Sequence, residues 1–129
     1  MGFLVYNGFS KQMNSTAIRV PLETEDDFFL MSNLGPKRTG LPFMVWISQK
    51  GGARHDVRVK VARSPKVKPG EFITVSVRPT VEVLYGELRP AELRLLRKWI
   101  KLNEAAIIGF WDGDIEDTTE VLEQLRPLP

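Results

Sequence analysis

The chain has 129 residues, 43% hydrophobic and 26% charged, which suits one domain with a core of its own. It has no cysteine, which excludes a disulfide framework, a thiolate zinc site and a thiol nucleophile, and fits a reducing, cytoplasmic setting. The net charge of +2 hides an uneven distribution: residues 51–80 carry seven basic and two acidic side chains, residues 81–129 six basic and ten acidic.

In chain order, residues 1–20 mix Gly, Asn and Ser with scattered apolar side chains and read as a flexible N-terminal arm. Met1–Phe9 is apolar but lacks a basic start and a small-residue cleavage site, so no signal peptide is expected. No apolar run approaches the ~18 residues of a membrane-spanning helix, and no membrane association is expected. A single domain is expected over 21–129. It opens with an acidic cluster, Glu23 to Asp27, followed by Phe28, Phe29, Leu30 and Met31, which read as a short strand or a docking segment. Gly35, Pro36, Gly40 and Pro42 mark a loop.

Phe43–Ser48 is short and rich in strand formers, and Gly51–Gly52 punctuates the turn after it. Val57, Val59 and Val61 then alternate with Arg58 and Lys60, and Ile73, Val75 and Val77 with Thr74 and Ser76. Period two predicts strands with one buried face. Val81–Tyr85 is a further strand, and connections this short predict antiparallel pairing. From Pro90 to Ile108 the period lengthens: Leu93, Leu96, Ile100 and Ile107 form a helical stripe, Pro90 suits the first turn, and Gly109 is expected to end the helix. Asp112–Gly113 reads as a turn. A second helix is expected near Asp117, with Asp117 as its cap, Val121, Leu122 and Leu125 inward, and Pro127 as its stop. The expected class is α+β: an antiparallel sheet of about four strands packed on one face by two C-terminal helices.

Chemistry-bearing residues are sparse. His55, the only histidine, lies between Arg54 and Asp56, and adjacent residues of an extended chain point to opposite faces, so Asp56 is badly placed to orient it as a general base. One histidine without cysteine does not make a transition-metal site. Asp112, Asp114, Glu116 and Glu123 match part of a calcium loop, but Asp117 stands where that loop requires glycine. No metal or cofactor is expected. No glycine-rich phosphate loop or nucleophile elbow occurs. Trp46, Trp99 and Trp111 read as core.

The best candidate surface is basic. Arg58, Lys60, Thr74, Ser76 and Arg78 are expected to share a sheet face surrounded by Arg54, His55, Arg63, Lys66 and Lys68. Such a face can track a phosphate backbone, although only Phe72 offers a ring for base stacking.

Gly86–Leu128 resembles the tail of a group of small bacterial proteins of unknown function. The resemblance rests on Gly86 and Leu88 at a strand end, Trp99 to Asn103 on a long helix, the Trp111-Asp112-Gly113 turn, and Leu125 to Leu128 closing a short helix. Arg54–Val61 is more weakly similar. The resemblance implies kinship with short proteins from toxin–antitoxin-like gene pairs. The Pro-Pro-His-x-His stretch of such relatives has no counterpart here, so no site residue is carried over.

These readings lead to a non-catalytic binding module acting through a protein partner or self-association. Nucleic-acid binding through the basic sheet face is the alternative, and a hydrolase centred on His55 the third class.

Overall fold

The computed structural model describes residues 31–129. The arm expected over residues 1–20 and most of the acidic and apolar run after it lie outside the described residues. Five strands form one antiparallel sheet in chain order: β1 (Met31–Leu34), β2 (Met44–Ser48), β3 (Arg58–Ala62), β4 (Ile73–Ser76) and β5 (Val83–Tyr85). Two helices follow, α2 (Pro90–Asp112) and α3 (Thr118–Gln124), and a one-turn helix α1 (Pro36–Thr39) sits between β1 and β2. The α+β class is as expected, with five strands rather than about four.

The additional strand is β1, which begins at Met31 and pairs in full with β2. The stretch expected as a loop holds α1 because Pro36 presets its first position and Gly40, at φ 77°, closes it with its N–H donated to the Pro36 carbonyl.

Alternation sorts the sheet into two faces. Val45 and Ile47 of β2, Val59 and Val61 of β3, and Ile73 and Val75 of β4 point inward, joined by Val57 and Val77 at the strand ends. They meet Leu96, Trp99, Ile100, Ile107 and Phe110 of α2 and Val121 of α3 in one buried cluster. Burying each such side chain fully contributes on the order of 1.5–3 kcal/mol, so this face dominates stability.

One expectation about α2 is corrected. Gly109 does not end the helix, which runs to Asp112 and is closed by Gly113 at φ 91°. Gly109 is instead a packing site, because a Cβ there would stand 3.1 Å from Ile115 Cδ1. α3 starts as expected: the Asp117 carboxylate accepts the Glu120 N–H at 2.7 Å.

The C-terminal tail is tied back onto the domain. Asn103, buried on α2, accepts the Arg126 N–H at 2.7 Å and donates from Nδ2 to the Arg126 and Trp99 carbonyls at 2.9 and 3.0 Å. Leu128 N–H donates to the Thr39 carbonyl at 2.8 Å.

Candidate functional site

The register of the central strands builds the outer face, opposite α2 and α3. Arg58 stands across from Ser76, Lys60 from Thr74 and from Trp46, and Tyr85 from Thr74. Arg58, Lys60, Thr74 and Ser76 therefore do share a face. Directly opposed residues on paired strands point the same way, so Trp46 and Tyr85 lie there too.

Trp46 thus does not join Trp99 and Trp111 in the main core. It alternates with Val45 and Ile47, which point inward, and period two sends it outward. There it forms a second buried cluster with Ala62 and Phe72, flanked by Met31, Met44 and Val67. The Trp46 and Phe72 rings meet edge to face, centroids 4.8 Å apart. The face is a short ladder of rings and cations rather than a plain basic sheet. Its middle is buried: Trp46 is 7% exposed, Lys60 8% and Thr74 7%.

The remaining cations are distributed elsewhere. Arg78 leaves the face after Val77 and forms a fork with Asp56, Nε and Nη2 each 2.9 Å from a carboxylate oxygen. Asp112 lies 3.9 Å from the same guanidinium. This fork holds the Asp56 carboxyl down at about 2, helped by a hydrogen bond from the Val57 backbone, and raises Arg78 in turn.

At the far end of β3, Arg63 pairs with Glu92 at 2.6 Å. Glu92 also accepts the Arg89 N–H at 2.8 Å and so caps α2. The Arg63 bond, then the Arg89 bond, hold its carboxyl below the usual range. Lys66 lies exposed in the connection after β3, and Arg54 exposed in the one before it.

His55 stacks on Trp111 with ring centroids 5.5 Å apart, and its Nδ1 lies 2.7 Å from the Asp56 carbonyl oxygen. The Asp56 carboxylate is engaged by Arg78, so it does not orient the imidazole. Among the described residues, no three of His, Asp and Glu converge as metal ligands. The seven candidates therefore occupy three places: Arg58 and Lys60 on the outer face, Arg54, His55 and Arg78 at one end of β3, and Arg63 and Lys66 at the other.

A different surface is apolar and open. β5 is the last strand of the sheet among the described residues. The β4–β5 register shifts between Thr74 and Val75, and Leu84 is the residue left over between the paired Val83 and Tyr85. Leu84 is 51% exposed and Tyr85 59%, the two most exposed large hydrophobic side chains described. Alternation alone could not have found Leu84, because the bulge breaks its phase.

Behind the β4–β5 turn, Val77, Pro79–Glu82 and the α2 side chains Arg97, Ile100, Lys101 and Glu104 line a shallow cleft of about 510 Å³. Arg97 Nε donates to the Val81 carbonyl across it at 3.2 Å. No helix among the described residues is long and apolar enough to cross a membrane.

No family model, no curated protein and no solved structure matches the chain.

Proposed function

We propose that the protein is a non-catalytic binding module that takes an extended segment of a protein partner along β5. The observation that carries this reading is the edge strand itself, where Leu84 and Tyr85 stand exposed on a strand that has β4 as its one strand neighbour among the described residues. An added strand gains main-chain hydrogen bonds, and exposed side chains of the receiving edge supply selectivity. Natural edges are usually defended by charge, proline or a covering element. Here the bulge and the short length defend the strand against indiscriminate pairing, while Leu84 and Tyr85 offer apolar contact.

The test is capture from cell extract by the parent chain and by Leu84→Ser/Tyr85→Ser, both shown to be folded. Proteins captured by the parent and lost by the double variant support the reading. Identical capture by the two chains contradicts it.

A second reading rests on Arg58 and Tyr85, where a partly exposed cation and an exposed ring lie on one face. It makes the outer face a nucleic-acid surface. Its mark is affinity that falls steeply with salt and is lost in Arg58→Glu/Lys60→Glu. Binding unchanged in that variant removes it.

A further inference from the structure

The long helix α2 carries a second stripe opposite its buried one. Leu96, Trp99, Ile100, Asn103, Ile107 and Phe110 are buried against the domain. At about 100° per residue, Arg94, Lys98, Lys101, Ala105, Ile108 and Asp112 run along the far side. Ile108 is half-buried and the other five are exposed. Their spacing alternates four and three, the period of a helix–helix seam. Leu102, 46% exposed, borders the stripe.

Charge is distributed unevenly along this side of the helix. Arg94, Arg97, Lys98 and Lys101 crowd one half, and the i,i+3 and i,i+4 pairs among them repel. Among the described residues none of the four forms an ion pair. Asp112 stands at the other end, in the last turn, where the helix dipole favours a cation. Its neighbour Arg78, 3.9 Å away, is already forked with Asp56. Asp114, Glu116 and Asp117 follow, all exposed. Ala105 is the midpoint of this arrangement. Leu102 and Ile108 lie three positions from it on either side, Lys98 and Asp112 seven, and Arg94 and Glu116 eleven. Turned end for end about Ala105, the stripe is complementary to itself: apolar on apolar near the centre, cation on carboxylate further out.

We infer that this stripe is the interface of a symmetric dimer, in which a second copy of the chain lays its own α2 antiparallel along it, with Ala105 at the two-fold axis. Lys98 of each copy then meets Asp112 of the other, and Leu102 meets Ile108. Such an interface is isologous and closes at two copies. The small side chain of Ala105 lets the helices approach at the axis, and a shallow crossing keeps them in contact over several turns. One helix from each copy is less surface than a permanent dimer buries, so the association is reversible and follows concentration. The stripe lies on the side of α2 away from the core, and the inference does not rest on the β5 reading.

Sedimentation velocity of the full chain over a concentration series is the test. The parent is expected to move from monomer toward dimer as concentration rises, and added salt should weaken that association. Lys98→Asp and Asp112→Lys each set like charges against one another at both ends of the interface, so each alone should weaken self-association at least about tenfold. An equimolar mixture of the two variants pairs opposite charges again and should recover the dimer. The absence of cysteine allows a second readout. Facing Cα atoms of closely packed helices lie within disulfide reach. Ala105→Cys should therefore oxidise to a covalent dimer at least about ten times faster than the exposed control Ala91→Cys. A parent that stays monomeric throughout, with Ala105→Cys no faster than the control, overturns the inference. So does a dimer that survives both charge reversals and is lost in Leu84→Ser/Tyr85→Ser, which would place self-association on β5.

Discussion

Asn103 is a polar residue on the buried stripe of α2, and its amide serves the tail rather than the helix. Alanine there leaves the Arg126 N–H and C=O without their side-chain partner. At about 0.5–1.5 kcal/mol per hydrogen bond for these two part-buried bonds, Asn103→Ala should lower unfolding stability by roughly 1–3 kcal/mol in urea titration. A loss under about 0.5 kcal/mol would mean the tail is not held through this amide. Asp56 makes a pH-dependent contribution. Its folded carboxyl lies near 2 against an ordinary 3.8, so the stability it confers is complete above about pH 4 and is lost as pH falls through 2. Asp56→Asn should therefore flatten the acid limb of the stability profile between about pH 4 and 2, while an unchanged limb would show that the Arg78 fork does not persist in solution. Neither role was legible beforehand. A lone Asn inside a helical period carries no sign that the chain returns to it 23 residues later. The Asp56–Arg78 fork exists only once β3 and β4 are aligned.

At the scale of elements, the inward faces of β3 and β4 were legible because period two is unambiguous in Val57–Val61 and Ile73–Val77. The helical stripe of α2 was equally clear, but its end was not. Glycine is a common helix terminator, and only the fold shows that Gly109 makes room for Ile115 whereas Gly113 takes the left-handed cap. Two of the four positive-φ glycines among the described residues, Gly40 and Gly113, differ in a measurable way. A Cβ on Gly113 meets open space, so Gly113→Ala should cost about 1–2 kcal/mol for the left-handed conformation alone. A Cβ on Gly40 would stand 2.8 Å from the Leu128 carbonyl oxygen and 3.0 Å from its nitrogen. Gly40→Ala should therefore cost clearly more, and thermal unfolding of the two variants would rank them. Equal losses would show that the tail does not press on Gly40. Trp46 illustrates the limit of composition-based reading. An apolar neighbourhood in sequence marks it as buried, while the parity of its position decides which face receives it.

Across the whole molecule, the sheet is a wall between two unlike environments. The inner face is a continuous apolar core under two helices, and the outer face mixes rings with cations. The basic surface expected from the sequence was legible in its central pair, Arg58 and Lys60, since alternation fixes their side of the strand. It was not legible in Arg63 and Arg78, whose carboxylate partners lie 29 and 22 residues away in sequence. Leu84 stands exposed at the β5 bulge, and Tyr85 exposed where β5 borders the outer face. Exposed side chains without buried partners contribute little to folding, so Leu84→Ser/Tyr85→Ser should unfold within about 0.5 kcal/mol of the parent. That separation of binding from stability makes the partner reading decidable. The most direct measurement is amide hydrogen exchange across the chain, free and bound to a protein captured by the parent but not by the double variant. The β5 account predicts slowed exchange concentrated at Val83–Tyr85, with β2 unchanged. Exchange unchanged at β5, or slowed only elsewhere, would contradict it.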